Sequence, residues 1–133
     1  MAEKTFDEWL TDLGLDFWGA AQHKVTPSQF FDRMRSGEEV VLLDVRSPEE
    51  AEYLALPFSL HIPIHELPTR WKEVPDNRLV AVFCSSGTRS AIGYAYLQLK
   101  GLDNVRFLDA RYPELVAELK PGKVHHLIQS KQE

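Results

Sequence analysis

Leu79-Val80-Ala81-Val82-Phe83-Cys84-Ser85-Ser86-Gly87-Thr88-Arg89-Ser90 is the stretch on which the fold turns. Its first five residues are apolar without a polar break, the pattern of a strand covered on both faces. Four small residues, an arginine and a helical segment from Ser90 to Leu99 follow the cysteine. Working outward, Val40-Val41-Leu42-Leu43 is a second apolar run and Val105-Arg106-Phe107-Leu108 a shorter third. Val25 and Ile62 fall in two further short strands. Pro48 to Leu54 and Pro113 to Leu119 read as helices. Thr26-Pro27-Ser28-Gln29 opens another, running Pro27 to Arg35: Thr26 caps, Pro27 fits the first helical position and Gln29 completes a capping box. Strand and helix alternate, which predicts an α/β domain with a mainly parallel central sheet flanked by helices.

At 133 residues the chain suits one domain, since single cores commonly form at about 100–200 residues. Residues 23–120 make that domain and 121–133 a polar, loosely held tail. Residues 1–22 form an N-terminal helical extension, because Phe6, Trp9, Leu10, Leu13 and Phe17 recur at helical spacing, with Gly14 a weak point. Trp9, Phe17 and Trp18 exceed what one narrow helix face needs. They serve either as a cover for the domain's own sheet edge or as a homodimer or partner surface, and the sequence leaves both open.

Composition narrows the function classes. Hydrophobic residues make up 44% and charged ones 26%, a globular balance. A formal charge of -5 argues against a nucleic-acid binder, which needs a basic footprint. The acidic start has no apolar core of a signal peptide, and no apolar run reaches the roughly 18–20 residues of a membrane span. A soluble, cytoplasmic protein is the expectation. Cys84 is the single cysteine, which excludes an internal disulfide and a multi-cysteine zinc site. His61 and His65 have a metal-ligand spacing only on a helix, which Pro63 breaks, so neither metal nor cofactor is expected.

The loop after Phe83 carries the chemistry. Ligands of open α/β sheets bind at the carboxyl ends of strands. Ser85, Ser86, Gly87 and Thr88 are small enough for successive N–H groups to turn inward as an anion cradle. The following helix adds a partial positive charge and Arg89 a full one. A thiol held there favours the thiolate, a nucleophile. A buried Cys84 continuing the strand as a small hydrophobe is the bland alternative. Its position ahead of Ser-Ser-Gly-Thr-Arg speaks against that.

In this loop, the chain resembles the rhodanese family of sulfurtransferases. The resemblance covers roughly residues 24–120. It rests on Leu43-Asp44-Val45-Arg46-Ser47-Pro48-Glu49-Glu50, on His61-Ile62-Pro63, and on Cys84 to Arg89, similar to the family's C-x4-R loop. It implies a rhodanese-like three-layer fold. It further implies a sulfane-sulfur transfer enzyme in which Cys84 becomes a persulfide. The donor would be thiosulfate or a persulfide, and the acceptor cyanide, a thiol or a sulfur-carrier protein. Related phosphatases and arsenate reductases carry one residue more in the loop, which disfavours those activities here. The family's "G-H-I-P-G-A" falls on Leu54 to Ser59, without its glycines or histidine, and its "G-G-Y" on Ala110-Arg111-Tyr112. A low-turnover sulfur carrier or regulatory module is therefore the alternative to an enzyme.

The resulting expectations are residue-specific. Cys84 is the nucleophile. Ser85, Ser86, Gly87, Thr88 and Arg89 hold the anion, with Arg89 closing the loop or facing an anionic group. Asp44 and Arg46 brace the rim by pairing with backbone or with each other. Glu50 is solvated or paired with Arg46, and Arg111 adds positive charge at the entrance.

Overall fold

In the computed structural model, residues 3–123 and 125 are described. Five parallel strands form one sheet: β1 (Lys24–Val25), β2 (Val40–Asp44), β3 (Leu60–His61), β4 (Leu79–Phe83) and β5 (Val105–Leu108), in the order β1-β5-β4-β2-β3. Helices cover both faces: α1 (Phe6–Thr11), α2 (Leu15–Gly19), α3 (Pro27–Arg35), α4 (Pro48–Tyr53), α5 (Leu67–Arg70), α6 (Thr88–Leu99) and α7 (Tyr112–Glu118).

The unbroken apolar runs follow from this double cover. Leu43, Val80, Val82 and Val105 point to the face packed with Tyr94 and Leu97 of α6. Val40, Leu42, Ala81, Phe83 and Leu108 point to the other, against Phe30, Phe31 and Met34 of α3 and Leu115 of α7. Each fully buried side chain of this kind contributes about 1.5–3 kcal/mol relative to exposure. Both Thr26 before α3 and Ser47 before α4 form complete capping boxes, with Gln29 and Glu50 as partners.

Several expectations need correction. The N-terminal segment is two short helices, not one, interrupted between Asp12 and Gly14 where glycine's backbone entropy opposes continuation. It docks on its own domain: Trp9 is buried against Tyr94, and the Lys4 N–H donates to the Leu99 carbonyl at 2.9 Å. Ile62 lies just past β3, although its N–H still donates to the Asp44 carbonyl at 3.0 Å. Helix α6 begins two residues earlier than Ser90. Residues 64–73, without a sequence expectation, form a 3-10 turn, α5 and a second 3-10 turn. Within the expected tail, residues 121–123 are helical, and most of the rest, 124 and 126–133, lies outside the described residues.

The chain leaves β2 toward β3 on one side and returns through β4 to β5 on the other. The crevice beyond the carboxyl ends of β2 and β4 is thus the switch point of the sheet, where open α/β folds place ligands. Asp44 and Phe83 are register partners there, and Cys84 follows at once.

Candidate active site

Strand β4 delivers Cys84 to the sheet's edge, and Gly87 makes the turn that brings the chain back over it. Gly87 has φ +95°, a left-handed conformation that a side chain would strain. Its N–H donates to the Cys84 Sγ at 3.0 Å. The Ser90 N–H donates to the same atom at 3.3 Å, and the Ser90 Oγ lies 3.5 Å from it. Ser90 was not among the residues singled out from the sequence. With the helix starting at Thr88, its N–H is a first-turn donor lacking an intrahelical acceptor, and so is free to face the sulfur.

Cys84 is only 1% exposed. Burial alone would push its thiol pKa up. The Ser90 hydroxyl and the N–H groups of Ser90, Ser86 and Gly87 outweigh burial, so the thiol lies below its ordinary value. Buried and cradled are both true of this side chain: the sulfur sits beneath the loop with amide donors directed at it.

Among the described residues Arg89 makes its hydrogen bonds to Glu50 and Ser85, and none to the sulfur. Its guanidinium donates to both Glu50 oxygens, at 2.6 and 2.9 Å, and to the Ser85 Oγ at 3.0 Å. Arg89 thereby ties the loop to α4. Glu50 pairs with Arg89 rather than with Arg46, a correction that also supplies the anion demanded by an arginine at a helix start. The Arg89 side chain holds the Glu50 carboxyl down at about 2, against an ordinary value of 4.5, with Ser47 assisting. Ser86 and Thr88 are exposed, and no hydrogen bond from either hydroxyl is found among the described residues.

Behind the loop, Arg46 is 0% exposed and fully engaged. Its Nε and Nη2 donate to the two Asp44 oxygens at 2.9 and 2.8 Å. Nη1 donates to the Glu50 carbonyl and the Tyr112 hydroxyl, Nη2 also to the Leu54 carbonyl. The guanidinium lies 5.7 Å from the ring centres of Phe83 and Tyr112. His61, half-buried, donates from Nε2 to the Arg46 carbonyl at 2.8 Å. Arg111 is exposed at the N-cap of α7, and no ion pair or hydrogen bond links it to the loop among the described residues. Its neighbour Tyr112 reaches the network instead. Chemically, the site offers a lowered-pKa thiol, a ring of N–H donors sized for one anionic atom, and a braced rim.

Comparison with known proteins agrees with this architecture. The profile of the rhodanese-like domain matches residues 26–118. A sulfurtransferase from Allochromatium vinosum is 34% identical over 83 residues, covering 62% of this chain and 78% of that protein. A tRNA sulfurtransferase from Shewanella woodyi is 32% identical over 87 residues, but this chain spans only 18% of its length. Among solved structures, a rhodanese-related protein from Thermoplasma volcanium superposes with a TM-score of 0.64 at 27% identity, covering 74% of this chain and 95% of that one.

Proposed function

The chain belongs to the rhodanese-like domain family, and from that premise we propose that it is a sulfurtransferase carrying sulfane sulfur on Cys84. The observation that carries this reading is the pair of backbone N–H groups, from Gly87 and Ser90, aimed at one lowered-pKa sulfur. A thiolate needs no base at the moment of attack. It forms a bond to the donor's outer sulfur while that sulfur's bond to the rest of the donor breaks. The leaving group departs with the electron pair, as sulfite from thiosulfate or as a thiolate from a persulfide. The Cys84 persulfide is then attacked at its outer sulfur by an external thiolate or cyanide, and the Cys84 thiolate leaves. The acceptor must come from outside because no second cysteine is available. Gly87 and Ser90, with Ser86, stabilise the negative sulfur in both states, an electrostatic preorganisation. Asp44, Arg46 and Tyr112 hold the rim, and Arg89 with Ser85 closes the loop.

A sulfur-carrier role with slow release is favoured by one observation, the 1% exposure of Cys84. A donor reaches such an atom only when the loop's outer edge parts. Steady-state cyanide turnover, compared with single-equivalent loading, separates the two readings. Many turnovers per chain support the enzyme. Rapid loading of one sulfur without turnover to cyanide or small thiols supports the carrier.

A further inference from the structure

We propose that Glu50 sets the charge preference of the sulfur-transfer site. By neutralising Arg89 at the loop, it selects donors with one negative charge on an apolar body over small dianions. The proposal rests on the sulfur-transfer reading above.

Among the described residues, Arg89 is the one cation that hydrogen-bonds or ion-pairs with any residue of the Cys84–Arg89 loop. Its charge is the attraction the site could offer to an anionic donor. That charge is already answered by Glu50 in a two-point pair, and the remaining Nη2 donor goes to Ser85. The counter-charge is held rigidly. Glu50 Oε1 also accepts from the Ser47 N–H at 3.1 Å, and the Ser47 Oγ accepts from the Glu50 N–H. Helix α4 is fixed in turn by Arg46, which donates to the carbonyls of Glu50 and Leu54. Beyond the pair, each helix continues along the same row with an exposed apolar side chain, Tyr53 three residues after Glu50 and Ile92 three after Arg89. The cation bound to the loop is thus neutralised, on two helices that carry exposed apolar side chains next to the pair. A hydrated dianion gains little there, whereas a sulfur borne on an organic or protein body gains apolar contact.

The test compares thiosulfate, with two negative charges, and benzenethiosulfonate, with one charge and an apolar ring. Both release the same sulfane sulfur to a thiolate, leaving sulfite and benzenesulfinate respectively. Loading rates are read by intact mass. The parent chain prefers benzenethiosulfonate. In Glu50→Gln the unmasked Arg89 shifts the ratio toward thiosulfate by about tenfold, the scale of one solvent-screened unit charge a few ångströms away. The shift lies in the half-saturating concentration rather than the limiting rate, fades with added salt, and does not occur in Glu50→Asp, which keeps the charge. Simple loosening of the loop moves both donors alike, so an unchanged ratio overturns the proposal. The parent offers an independent check: a thiosulfate preference that falls steeply with salt would reveal an unmasked cation and also overturn it. Failure of the parent to gain sulfur from either donor would instead overturn the sulfur-transfer reading itself.

Discussion

Ser90→Ala isolates one of the four groups that lower the Cys84 thiol pKa. Alanine keeps the backbone N–H that donates at 3.3 Å and deletes only the hydroxyl 3.5 Å away. It leaves no orphan, because the Gly87 carbonyl that accepts from Ser90 Oγ also accepts from the Ala91 N–H at 3.1 Å. In the thiol form the Cys84 Sγ–H donates to Ser90 Oγ, whose own proton goes to the Gly87 carbonyl. On ionisation that proton turns to the sulfur, and a hydrogen bond to a charged group contributes about 1.5–3 kcal/mol, here at the lower end because the Gly87 bond is given up. About 1.4 kcal/mol is a factor of ten in ionisation. Below both titration midpoints the thiolate fraction therefore falls about tenfold, and sulfur loading slows in proportion. The assay follows thiolate ultraviolet absorbance across pH, with Cys84→Ser as the blank, alongside loading rates. The parent and variant rates converge at alkaline pH, where both are ionised. A titration midpoint that does not move in Ser90→Ala refutes the argument that side-chain donation lowers this thiol.

Three further outcomes follow from the same geometry. Arg46→Met leaves the Asp44 carboxylate buried and unpaired and should cost about 3–5 kcal/mol in urea unfolding; a loss below about 1 kcal/mol, the scale of an exposed pair, contradicts the bracing role. Gly87→Ala must carry a side chain at φ +95° and should lose about 1–2 kcal/mol. It should also slow loading as the 3.0 Å donor is displaced, and wild-type loading would contradict that. Because the folded thiol's pKa is depressed, its contribution to stability is present above the unfolded thiol's pKa and lost as pH falls through the folded one. The stability advantage of the parent over Cys84→Ser should therefore grow with pH across that window, and a flat difference in urea melts at several pH values tells against a stabilised thiolate.

The strands were legible because the sheet is covered on both faces, so Val40–Leu43 and Leu79–Phe83 announce themselves as unbroken apolar runs. Helix starts were legible where caps are local, as at Thr26 with Gln29. The Cys84–Arg89 loop was readable because its parts are contiguous. What escaped depends on distant packing. Glu50 meets Arg89 across 39 positions and Tyr112 meets Arg46 across 66, with no local pattern to link them. Ser90 had a local signal, its place in the first turn of α6, but that signal depends on starting the helix at Thr88. Residues 64–73 carry Pro68 and a single deeply buried side chain, Leu67, too little periodicity to declare a helix.

The most direct measurement is the intact mass of the reduced protein after exposure to a sulfane-sulfur donor and removal of the excess. The account predicts a gain of one sulfur atom, discharged by cyanide or a thiol and absent in Cys84→Ser. A chain that stays at its starting mass with every donor offered, while its thiol titrates below the ordinary range, would show a cradled cysteine that does not carry sulfur and would contradict the account.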